Sequence, residues 1–123
     1  ITSESGASPT IRIKRIRVII LQIDKLRGKQ LDQFFDAILA LETREECYEF
    51  FDDVATMHEV QALSQRLQVA KLLSEGKTYQ TIENETNAST ATISRVRRSL
   101  DYGSGGYGKI FKRLKEREQQ KEK

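Results

Sequence analysis

Residues 78–100 read TYQTIENETNASTATISRVRRSL, two short helical patterns separated by a turn, and this stretch decides the fold. The first pattern, Tyr79 to Thr86, has Ile82 as its inward apolar residue and Thr78 placed to cap its leading amides. The turn is Asn87-Ala88-Ser89. Asn tolerates the left-handed backbone that a sharp helix exit needs, and Ser89 is placed to accept from the first free amides of the next helix. That helix starts near Thr90, with Ile93, Val96 and Leu100 as a buried seam at spacing i, i+3, i+7.

This is the layout of a helix-turn-helix, whose second helix enters the DNA major groove N-terminus first. The residue types suit that task. Thr90, Ala91, Thr92 and Ser94 would face base edges, where small side chains allow close approach, hydroxyls donate or accept, and a methyl touches thymine. Arg95, Arg97, Arg98 and Lys77 fall where phosphates would lie, and Ser89 and Gln80 would help hold the turn against the backbone. The plain alternative is an ordinary αα-hairpin in a helical core. Thr92-Ile93-Ser94 followed by Arg95, at that distance from the turn, argues for the reading head. Two residues depart from the commonest pattern: Glu83 stands where many such units carry a small residue, and Asn87 where they carry Gly.

The 123 residues suffice for one domain with a modest core. With 32% charged and 37% hydrophobic residues, the composition is that of a globular protein with much solvated helix surface. No run approaches the roughly 18 apolar residues of a membrane span. A single cysteine, Cys47, makes no internal disulfide and, on a face with Tyr48 and Phe51, reads as a buried small hydrophobe. His58 has no Cys or His at ligand spacing, so no metal site is expected. With no disulfide framework or secretory pattern, the expected setting is the bacterial cytoplasm.

The net charge of +3 conceals segregation. Residues 1–30 carry seven basic and two acidic side chains, residues 31–60 one and nine, and residues 76–123 eleven and six. An acidic middle and a basic C-terminal part are expected where one face meets phosphates and another does not. An enzyme is the least supported class. The chain shows no nucleophile–base pair, and the glycines from Gly103 to Gly108 follow no strand and so fail as a phosphate loop.

Outward from the central stretch, residues 1–10 are small and polar, and Ile11 to Ile23 has strand-like composition with no second strand to pair with. Residues 1–20 therefore read as a flexible extension or a misassigned start, 21–116 as the folded domain and 117–123 as a charged tail. From Leu31 an apolar stripe begins: Leu31, Phe34, Phe35, Ile38, Leu39 and Leu41. Thr43 with Glu46, and Thr56 with Glu59, are capping-box signatures opening two further helices. The first should bury Cys47, Phe50, Phe51 and Val54. The second should bury Val60, Leu63, Leu67, Ala70 and Leu73 and stop at Gly76. Asp101 to Gly108 reads as a flexible break before a last helix with Tyr107, Ile110, Phe111 and Leu114 on one face. The apolar faces of residues 31–55 and 107–114 exceed what a monomer of this size hides, which points to a homodimer. Two recognition helices roughly 34 Å apart would read a pseudo-palindrome.

The chain from about Leu21 to Tyr102 resembles the tryptophan repressor superfamily, and in particular its TrpR-like YerC/YecD branch. The resembling residues are ECYEFFDD (46–53), Ala62-Leu63 with Arg66, LLSEG (72–76) and above all ASTATISRVRRSL (88–100). The resemblance implies an all-α domain of about six helices, forming an intertwined homodimer with outward helix-turn-helix units. It also implies a pocket in which Arg66 and Arg95 sandwich the indole of L-tryptophan or hold another small corepressor, with Thr56, Thr92 and Ser99 around it. Val96 stands where the repressor has glycine, placing extra bulk beside that pocket. The expected function is a sequence-specific DNA-binding regulator, a repressor, acting on double-stranded DNA without a metal or catalytic residue. The alternative is a protein-interaction module of a transcription or replication complex, motivated by the acidic middle and Glu83. A third reading, the recognition part of a transposase-like protein, lacks a catalytic domain.

Overall fold

The computed structural model of the protein describes residues 21–121. Expectations for residues 1–20, and for the last two residues of the tail, lie outside that span. Among the described residues all regular structure is helical: a 3-10 turn at Gln22–Leu26, then α1 (Lys29–Leu39), α2 (Arg44–Val54), α3 (Met57–Ser74), α4 (Tyr79–Thr86), α5 (Thr90–Tyr102) and α6 (Gly106–Lys121). None of these helices is long and apolar enough to cross a membrane. The chain divides into two compact units, one ending at Leu41 and one beginning at Glu42.

In the first unit the 3-10 turn is pinned by Asp24, whose carboxylate accepts from the Leu21 amide at 3.1 Å and pairs with Arg27 at 2.7 Å. The Arg27 guanidinium beside it holds the Asp24 carboxyl below its usual range. The apolar stripe of α1 is present but not covered. Leu31, Phe34 and Ile38 are half-buried, Phe35 and Leu39 are exposed, and no residue of α1 is fully buried.

The core of the second unit is small and sits at the helix-turn-helix. Val69, Ala70, Leu72 and Leu73 of α3 meet Ile82 of α4, Ala88 of the turn, and Ile93 and Val96 of α5. Leu100, Tyr107 and Phe111 close it from the side. The expected seam of Ile82, Ile93, Val96 and Leu100 is thus in place, with Ile82 and Ile93 fully buried. The packed helix pairs are α3 with α4, α5 and α6, and α4 with α5.

The α3 terminus follows from one glycine. Gly76 has φ +82°, its N–H donates to the Leu73 carbonyl at 3.0 Å, and the Lys77 N–H reaches back to Leu72 at 3.1 Å. This pair of bonds is the Schellman closure, which uses the left-handed backbone that glycine adopts without a Cβ clash.

Three expectations need correction. Cys47 is exposed, and so are Val54, Val60, Leu63 and Leu67, because the faces of α2 and the first half of α3 find no covering element within their unit. The box at Thr43 is half formed. Thr43 accepts from the Glu46 amide at 3.0 Å, but the Glu46 carboxylate turns to the Glu42 amide at 2.7 Å, one residue earlier. The break after α5 is only Gly103 to Gly105, since Gly106 and Gly108 lie inside α6. A Cβ on Gly103 would collide with the Ser99 carbonyl oxygen, which makes it the tight point of the turn. The charged C-terminal residues continue α6 as helix through Lys121.

Candidate nucleic-acid interface

Three capped helices present this surface. Thr56 opens α3 with both halves of a capping box: its hydroxyl accepts from the Glu59 amide at 3.1 Å, and Glu59 accepts from the Thr56 amide at 2.8 Å. The hydrogen bond from the Thr56 amide, and then that with its side chain, hold the Glu59 carboxyl below its usual range. Thr78 opens α4, accepting from the Thr81 amide at 3.1 Å. Ser89 opens α5, accepting from the Thr92 amide at 3.1 Å while its own hydroxyl donates to Thr92 Oγ1 at 3.1 Å. Each cap satisfies an amide that the first helical turn leaves without a partner.

The turn is built from short-range bonds. Asn87 sits at φ +62°, in the left-handed region expected of it. Thr86 is buried, and its hydroxyl donates to the Ile82 carbonyl at 2.7 Å and accepts from the Ala88 amide at 3.1 Å. Gln65, from the middle of α3, donates to the Thr86 carbonyl at 3.0 Å. Thr86 and Gln65 were not singled out in the sequence. A threonine in the last turn of a helix carries some signal for the first, whereas a contact across 21 residues leaves none.

The beginning of α5 faces solvent. Thr90, Ala91, Ser94 and Arg95 are exposed, and Thr92 is half-buried. Arg97, Arg98, Lys77 and Gln80 are exposed as well. Among the described residues Arg95 and Arg98 make no ion pair, whereas Arg97 lies 3.5 Å from Asp101 one turn on, both about half exposed. The positive end of the α5 dipole emerges at Ser89 and Thr90, adding to the attraction these cations exert on an anion.

Glu83 is not a stray charge. Its Oε2 accepts a hydrogen bond from the Thr90 hydroxyl at 3.0 Å, linking α4 to the first residue of α5 across the turn. The residue that departs from the commonest pattern therefore braces the unit across its turn.

The residues expected around a corepressor lie on two elements, Thr56 and Arg66 on α3 with its N-cap and Thr92, Arg95 and Ser99 on α5. Arg66 is half-buried on α3, with Nε donating to the Ala62 carbonyl of its own helix at 3.3 Å. Arg95 and Ser99 are exposed on α5. Thr56 spends its hydroxyl on the α3 cap and lines an open groove between α2 and α3 with Cys47, Tyr48, Phe51, Met57 and Val60. Val96 is 2% exposed and packs in the core.

Comparison with known proteins agrees with this architecture. The profile of the Trp repressor protein family matches residues 29–115. The uncharacterized protein YerC of Bacillus subtilis is 60% identical over 98 residues, covering 80% of this chain and 94% of its own length. A crystal structure from Staphylococcus aureus, described as a candidate Trp repressor, superposes with a TM-score of 0.77 at 61% identity, over 78% of this chain and 96% of that one. A TrpR-like protein from Eubacterium eligens gives 0.73 at 53% identity, over 74% and 94%. A capped helix-turn-helix resting on the end of a long helix, matched over most of its length by these relatives, places the chain in the Trp repressor family.

Proposed function

We propose that this protein is a sequence-specific DNA-binding transcriptional regulator, a repressor, that works as a homodimer in the cytoplasm. The observation that carries this is the exposed start of α5. Small and hydroxyl side chains at Thr90, Ala91, Thr92 and Ser94 stand beside Arg95 and Arg98, two cations without ion-pair partners among the described residues. Small polar groups at a helix N-terminus read base edges; Lys77, Arg95, Arg97 and Arg98 contact phosphates, and Ser89 and Gln80 hold the backbone beside the turn. The uncovered apolar side chains of the second unit support dimerisation. Met57 is 87% and Leu63 is 56% exposed, and Tyr48, Ile110 and Leu114 are also exposed. A second copy would cover them and set two recognition helices one DNA turn apart.

A small corepressor, L-tryptophan or a relative, enters this reading through Arg66 and Arg95, with Thr56 and Ser99 nearby in the family pattern. Selection of bound sequences from a random duplex pool, with and without free amino acids, tests both parts. An enriched pseudo-palindrome supports a dimeric reader. Enrichment that depends on an amino acid supports the corepressor.

The uncovered groove between α2 and α3 and the acidic side chains beside it favour a second reading, an interaction module docking on a larger protein complex. Absence of duplex binding at low salt, together with a stable heteromeric complex, would select it.

A further inference from the structure

Glu83 and Thr90 form a pair whose chemistry restricts what it can face. Thr90 is the first residue of α5, and its hydroxyl proton is committed to Glu83 Oε2 at 3.0 Å. An ionised carboxylate has no proton to give, so the direction of this bond is fixed. The pair is left with acceptor positions only: the remaining lone pairs of Glu83 and those of Thr90 Oγ1. Glu83 is half-buried and Thr90 exposed, at the end of α5 that carries the candidate base-reading side chains. Among the described residues no cation is paired with Glu83.

An unpaired carboxylate at a surface that meets phosphates repels them, a cost that a direct base contact offsets. We propose that Glu83, braced by Thr90, is a specificity-determining residue that accepts a hydrogen bond from the exocyclic amino group of a cytosine in the major groove. This inference rests on the DNA-reading function proposed above. Guanine and thymine present only acceptors to such a pair at the major-groove edge, and electrostatic repulsion disfavours them. Adenine offers an amino group, but its N7 acceptor lies beside it and faces the same carboxylate. Cytosine offers the amino group with no acceptor next to it on that edge.

The same selection from random duplex, run with the full chain and with Glu83→Gln and Thr90→Val, tests the assignment. Wild type enriches cytosine at one position of each half-site. Glutamine presents a donor beside its acceptor, the pattern that matches adenine, so Glu83→Gln switches that position from cytosine to adenine by about tenfold and leaves the others unchanged. Thr90→Val removes the brace and blurs the same position. Unaltered preferences in both variants, whatever their melting temperatures, would overturn the role of Glu83 and leave the reader intact. A wild type that enriches no sequence would overturn the DNA-reading function itself, and this inference with it.

Discussion

Gln65 Nε2 donates to the carbonyl oxygen of Thr86 at 3.0 Å, tying the middle of α3 to the last residue of α4. The carbonyl belongs to the final turn of a helix, where no intrahelical amide is available to it. Replacing Gln65 by Ala leaves a partly buried acceptor unpaired. The expected loss is about 1 kcal/mol of unfolding free energy, read from urea denaturation with an unchanged slope.

Asn87 holds φ +62° in the turn. Glycine occupies that conformation freely, so Asn87→Gly should stay within about 0.5 kcal/mol of wild type. A β-branched residue does not, and Asn87→Val should cost about 1–2 kcal/mol. Thermal melts of the two variants side by side would separate backbone strain from loss of the amide side chain. Equal melting temperatures would remove the left-handed turn from the account.

Among the described residues Arg98 makes no ion pair, while Arg97 leans on Asp101 at 3.5 Å. Arg98→Ala should weaken binding to all duplexes alike and flatten the plot of log affinity against log salt by about 0.9, the value of one phosphate contact. Asp101→Asn should act in the opposite sense, releasing Arg97 to the DNA and steepening the same plot. Titrations by fluorescence anisotropy across a salt series would show both slopes.

Leu63 lies on the uncovered half of α3 and is more than half exposed. If the second copy covers it, Leu63→Glu buries a charge in the interface and yields a monomer. Sedimentation velocity should then show a dimer for wild type and about half that mass for the variant. A wild-type monomer, or a variant that remains dimeric, would place the interface elsewhere.

Glu59 has a folded-state pKa below its usual range because it accepts bonds from Thr56. The carboxylate is the favoured form in the folded chain, so its contribution to stability is complete above the ordinary glutamate range. It is lost as pH falls through the lowered folded value, below about pH 5. Glu59→Gln should flatten the acid limb of stability against pH and leave its course above neutrality unchanged.

Local features were the legible ones. Thr78, Ser89 and Thr56 cap the helices they precede, Gly76 ends α3, and Asn87 takes the left-handed position, since each depends on residues within about one helical turn. The seam of Ile82, Ile93 and Val96 was legible because the same short segment supplies both of its sides. Cys47, Val54 and Leu63 lie on apolar faces yet are exposed. Their periodicity shows that a face needs covering, but not whether this chain or another supplies the cover. At Thr43 the expected reciprocal bond lost to a competing amide, that of Glu42, which no spacing rule includes. The Glu83 brace joins two helices through side-chain directions set by the turn, so the sequence displayed only an unusual residue.

The 18 residues of α3 span about 27 Å of continuous helix, and the two ends have different duties. Val69 to Leu73 anchor the helix-turn-helix core, while Met57 to Leu67 expose apolar side chains. Whatever molecule grips the exposed end holds a handle whose other end carries the helix-turn-helix. If a second copy grips that end and α5 meets DNA, as proposed above, aim and assembly become one mechanical quantity: a shift of grip along Met57 to Leu67 would re-aim α5 through a single continuous helix.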